Sequence, residues 1–167
     1  YGLELPELKK FEVAYVEYAE KFNALVEYQK KIGLHPKDGY YGELRAAVHD
    51  VETQLKELNS YKLLSDMLQL RRAEKDFMLR RDVKYLDKFE NNLQTFYQHL
   101  GSESIGSDAK QSIRTGLGRY DNQFKKLVNS EVEIGLDSKS GLLGDLRATI
   151  HQTEDSLKGM LSSLELA

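Results

Sequence analysis

The sequence predicts an all-α protein: an antiparallel helical bundle with one very long helix, forming two stacked four-helix bundles or part of them. Three observations point there. Apolar residues recur at alternating spacings of three and four, which draws a single seam along each helix for shallow-angle packing. Only two prolines occur in 167 residues, Pro6 and Pro36, too few for the turns of an all-β sandwich or barrel. Residues 43–100 contain neither glycine nor proline. Apolar residues at 40% and charged ones at 31% suit long amphipathic helices with exposed faces. The length fits one domain over residues 1–167, able to build a core without metal or disulfide. It is read as a single helical domain or a trimmed piece of one.

In chain order, the first helix carries Phe11, Tyr15, Tyr18, Phe22, Leu25, Gln29 and Ile32 on its seam. The breaker-free stretch 43–100 would span about 87 Å as one helix. Its seam shifts phase between Leu44, Val48, Val51, Leu55, Leu58 and Leu63, Met67, Leu70. Coiled coils tolerate such a stutter, so the stretch is read as continuous, with a break near Asn59–Ser60 as the alternative. The third seam is Ile113, Leu117, Tyr120, Phe124, Leu127, Glu131 and Ile134. The fourth is Leu143, Leu146, Ile150, Thr153, Leu157, Met160 and Leu164. The flanking helices have roughly half the length of the central one, so different short helices would pair with it in each bundle.

The chain also repeats itself, residues 18–52 matching 120–154 at an offset of 102. Over residues 33–52 and 135–154, ten of twenty positions are identical, among them three glycines and an Arg-x-x-x-His-x-x-Glu stripe. Each copy reads as helix, glycine-punctuated turn, helix, with glycine supplying positive φ where the chain reverses. Two similar helical modules are expected from such a duplication.

The paired hairpins, together with the run Leu70-Arg-Arg-Ala-Glu-Lys-Asp-Phe-Met-Leu-Arg80, resemble the helical bimodular sensor domain of bacterial methyl-accepting chemotaxis receptors. The resemblance covers essentially the whole chain. It implies a periplasmic six-helix domain of two stacked four-helix bundles, belonging to an inner-membrane protein and binding small organic acids. A full domain of that kind would carry about two more helices. Membrane spans and the cytoplasmic signalling part would lie in flanking segments outside this chain. A sensor histidine kinase is the alternative parent, since some use a similar domain.

Two constellations could hold such a ligand. Arg45, His49 and Glu52 lie on one helical stripe one position off the seam, and Arg147, His151 and Glu154 repeat it. Each stripe is either a boundary layer of ion pairs to neighbouring helices or a cationic wall for a carboxylate. The second constellation lies in Gln69–Lys88, which holds seven basic and four acidic residues, a net of 7 − 4 = +3. Glu74 takes the seam position between Leu70 and Phe77, and a charge placed in a core must be paired or meet a ligand. Arg71, Arg72 and Lys75 are the candidate cations there, because the planar guanidinium fork can bind both carboxylate oxygens. Tyr15, Tyr18, Phe22, Tyr120 and Phe124 read as core and dimer packing.

Other classes of function find little support. The absence of cysteine removes disulfides, thiolate nucleophiles and cysteine metal sites. Metal binding is not expected, since di-iron bundles use Glu-x-x-His whereas this chain has His-x-x-Glu. A net charge of −3 argues against nucleic acid as a partner. No catalytic motif or cofactor-binding loop occurs, so no enzyme is expected. The chain is expected to sense a small carboxylate as a homodimer, with a purely structural helical bundle as the competing possibility.

Overall fold

A computed structural model of the chain describes residues 6–166, and among them every regular element is an α-helix. The six helices are α1 (Pro6–Ile32), α2 (Gly39–Leu58), α3 (Tyr61–Arg80), α4 (Lys84–Ser102), α5 (Ser107–Ile134) and α6 (Gly141–Glu165). The chain divides into two compact units, Lys31–Glu131, and Tyr1–Lys30 with Val132–Ala167.

The very long helix expected over 43–100 is instead three helices. Asn59 ends α2 in the left-handed region at φ 52°, and Ser60 starts α3 by accepting the Leu63 N–H at 3.3 Å. Asparagine tolerates that conformation better than most residues, so this break has a local cause. The second break is at Arg81, left-handed at φ 53°, whose N–H closes on the Phe77 carbonyl at 2.7 Å. Left-handed backbone costs a non-glycine residue roughly 1–2 kcal/mol. Here an ion pair from Arg81 Nη2 to Glu131 Oε2 at 2.7 Å offsets it. The Asp82 carboxylate then accepts the Lys84 N–H at 2.9 Å, which turns the chain into α4. That hydrogen bond holds the Asp82 carboxyl below its usual range.

Within Lys31–Glu131, contacts between side chains fix an up-down-up-down bundle. Glu52 meets Arg71, Asp66 meets His99, and Glu90 meets Lys125, so consecutive helices run antiparallel. Asp50 meets Arg119, which brings α5 back beside α2. Ile113, Leu117, Tyr120, Phe124 and Leu127 on α5 are all fully buried, as their seam spacing predicts. They pack on Leu63, Met67, Leu70 and Phe77 of α3 and Phe89, Phe96 and Leu100 of α4, buried to the same degree. At mid-height, Phe89 lies edge-on to Tyr120 with centroids 5.0 Å apart and 4.6 Å from Phe124, which in turn meets Phe77 at 5.8 Å. Gly116 lets α5 approach α2 closely, because a Cβ there would stand 2.7 Å from Val51 Cγ2.

In the other unit, α1 and α6 lie antiparallel, tied by Lys21 Nζ donating to Thr149 Oγ1 at 3.1 Å. Their seams are the weak match to sequence. Ala14 and Thr149 are buried, whereas Tyr15, Phe22, Ile150, Leu157 and Leu164 remain between 40% and 61% exposed. The pattern is right for a bundle, but two helices alone cannot cover it.

The repeated glycines have two separate physical reasons. Gly33 sits at φ 122°, and its repeat mate Gly135 at 120°, where a side chain is strained. Gly42 is an ordinary helical residue, yet a Cβ on it would collide with the Lys37 carbonyl, as one on Gly144 would with Lys139. Close backbone approach accounts for that pair.

Candidate functional site

Between α2 and α3, within Lys31–Glu131, runs a cleft of about 570 Å³ whose end is formed by the turn at residues 33–36. Antiparallel pairing sets its register. Glu52 stands opposite Arg71 at one end, and Arg45 opposite Met78 at the other. Four of the seven candidate site residues, Arg45, His49, Arg71 and Lys75, line it together with Glu52 and Glu74. Leu34, Pro36, Leu44, Val48 and Met78 supply the apolar wall.

Glu74 is buried, as its seam position requires, and its charge is met from three sides. Arg71 Nη1 donates to Oε2 at 2.5 Å, the Tyr120 hydroxyl donates to the same oxygen in a short hydrogen bond, and Lys75 Nζ stands 3.4 Å from Oε1. Arg71 also reaches Glu52 Oε1 at 3.8 Å. Burial works against the Arg71 charge, but Glu74 and the Tyr120 hydroxyl more than offset it and hold the guanidinium above its usual range. Burial first, then the Glu74 charge, push the Tyr120 phenol well above its ordinary value.

The other buried seam glutamate is met in the same way. Glu131 accepts from Arg81 at 2.7 Å and from the Tyr41 hydroxyl at 3.3 Å. Burial, then Glu131, raise the Tyr41 phenol above its ordinary range. Tyr41 also lines the cleft, so the cleft touches both Arg–Glu–Tyr clusters.

Arg45 and His49 differ from Arg71. Among the described residues neither side chain has an ion-pair or hydrogen-bond partner, and both are exposed along the cleft wall. They are the site's uncommitted donors, suited to a planar anion.

Three candidates fall elsewhere. Arg72 is exposed and lies outside the cleft lining. Arg147 and His151 belong to the unit of α1 and α6. There Arg147 Nη1 donates to Ser138 Oγ at 3.4 Å, and His151 pairs with Glu154 at 3.4 Å with both side chains more than half exposed. The second copy of the stripe thus makes solvent-facing pairs worth a few tenths of a kcal/mol each (roughly 0.2–1). Sequence reasoning missed Tyr41, Leu34 and Met78 as cleft residues. For Tyr41 a signal existed: the other copy of the repeat has Leu143 at that position, so the two hairpins differ in a polar group there.

Among the described residues, no three His, Asp or Glu side chains are placed to hold a metal ion, and no helix is long and apolar enough to cross a membrane. No protein-family model, curated protein or solved structure matches the chain.

Proposed function

We propose that the chain is an extracytoplasmic ligand-sensing domain of a chemotaxis receptor that binds a small carboxylate in the cleft between α2 and α3. The observation that carries this function is the pair of uncommitted donors, Arg45 and His49, beside an Arg71–Glu74 pair lying within the Leu70–Arg80 run. Ligand would act by binding one packing of the helices better than another, since only differential affinity shifts a conformational equilibrium. Tyr120 and Tyr41 connect the cleft to α5 through Glu74 and Glu131, which offers a path for that shift. Stacked modules, a periplasmic setting and membrane anchoring through flanking segments belong to the same proposal and are supported by the family resemblance. A sensor histidine kinase would use the cleft identically.

A carboxylate should raise the melting temperature, because a ligand at a hundredfold excess over its dissociation constant adds about 2.7 kcal/mol to native stability. Arg45→Ala should abolish that rise without lowering the ligand-free melting point, since Arg45 is exposed and unpaired. Losing a charge-assisted bidentate contact costs about 1.5–3 kcal/mol. A panel of mono-, di- and tricarboxylates that leaves the unmutated protein unshifted would sink the proposal. It would favour a structural bundle, for which the pairing of Glu74 with Arg71 and of Glu131 with Arg81 speaks.

Homodimerisation is part of the same proposal. The exposed apolar residues of α1 and α6 form a face that a second α1–α6 pair could complete into four helices. Sedimentation should show a monomer–dimer equilibrium, and a strict monomer at high concentration would contradict it.

A further inference from the structure

We infer that the cleft selects monocarboxylates bearing a short apolar chain, with Glu52 as the residue that sets this charge selectivity, an inference that rests on the carboxylate function proposed above. The first support is charge. Arg45, Arg71 and Lys75 bring three positive charges to the lining and Glu52 and Glu74 bring two negative ones, so with histidines neutral the total is 3 − 2 = +1. The Arg71 fork is already committed to Glu74 at 2.5 Å and faces Glu52 at 3.8 Å. Lys75 stands against Glu74 at 3.4 Å. One ligand carboxylate finds Arg45 open. A second carboxylate in the same cleft would find no uncommitted arginine, and Glu52 and Glu74 would oppose its charge.

The second support is apolar surface. Leu34 is 74% exposed at the turn, Pro36 beside it is also exposed, and Met78 is half-buried opposite. All three line the same cleft as Arg45. An acyl chain of a few carbons would cover them, and each methylene so buried is worth roughly fourfold in affinity.

Titration calorimetry on the full chain with acetate, butanoate, hexanoate and succinate tests both supports. Affinity should climb several-fold from acetate to butanoate and again to hexanoate. Butanoate should bind at least about tenfold tighter than succinate, which has the same carbon count and one more charge. Glu52→Gln raises the lining total to +2 and should improve succinate about tenfold relative to butanoate. Leu34→Ser should flatten the dependence on chain length. Succinate outbinding butanoate in the unmutated protein, or a ratio that Glu52→Gln does not move, would overturn the charge selectivity while leaving the carboxylate site standing. Binding of none of the four acids would remove the site and the selectivity together.

Discussion

Glu74→Ala should destabilise the Lys31–Glu131 bundle by about 3 kcal/mol, measured by urea denaturation at neutral pH. Removing one partner of a buried ion pair typically costs about 3–5 kcal/mol, because the other charge is left unpaired in low dielectric. The lower end applies, since the Arg71 side chain keeps 28% exposure and can rehydrate. The fully buried Tyr120 hydroxyl cannot, and its lost acceptor, a desolvation cost of roughly 1–3 kcal/mol, makes up much of that figure. Replacing Arg71, Glu74 and Tyr120 together by Leu, Leu and Phe should restore much of the loss, as apolar substitutes of similar volume often do. A loss below about 1 kcal/mol for Glu74→Ala would mean the cluster contributes little. The same cluster predicts an alkaline limit. Because Tyr120 is held above its ordinary value in the folded state, the unfolded chain releases that proton first. Its stabilisation is present below about pH 10 and is lost as pH rises above that toward the folded value. Tyr41 and Tyr97 are shifted in the same direction, so Tyr120→Phe should reduce the alkaline slope without removing it.

Phe89→Ala should cost about 3–5 kcal/mol, the usual range for truncating a fully buried aromatic side chain. Phe89 touches two rings, Tyr120 at 5.0 Å and Phe124 at 4.6 Å, so the void opens at the junction of α4 and α5 beside the Glu74 cluster. With domain stabilities of about 5–15 kcal/mol, either substitution removes a large fraction of the total. The two should not add. Tyr120 is shared by both, and a double-mutant cycle should return a coupling on the order of 0.5–3 kcal/mol. Strict additivity would show that the ring cluster and the ion-pair cluster are mechanically separate.

The sequence disclosed the α5 seam residue by residue, including Glu131, because three other helices cover it and periodicity then maps directly onto burial. The same spacing on α1 and α6 did not translate into a core, since periodicity marks which face seeks a partner without supplying one. Asn59 and Ser60 gave a readable break. The Arg81 break was not readable, because it depends on Glu131, which is 50 residues distant. The Asp82 side chain at the next turn was the only local hint. In the cleft, the cation stripe of α2 and the charged run of α3 were each visible. Their juxtaposition was not, since a continuous helix over 43–100 would have kept Glu52 and Arg71 far apart along one rod. The fold-back at Asn59 brings them to 3.8 Å.

The order of the helices in Lys31–Glu131 also bears on how that bundle assembles. Each helix packs against its successor across a connection of two to four residues, so most contacts form between near neighbours in the chain and contact order is low. Folding on a microsecond-to-millisecond timescale is the regime of such topologies. Among the exceptions are bonds that reach α5 from far upstream, such as Glu74 to Tyr120, 46 residues apart, and Tyr41 to Glu131, 90 apart. These are ring-closing contacts, and their entropic cost grows only logarithmically with the span they close. The two glutamates that interrupt the apolar seams thus sit where the nascent helical hairpins must be sealed into a closed bundle.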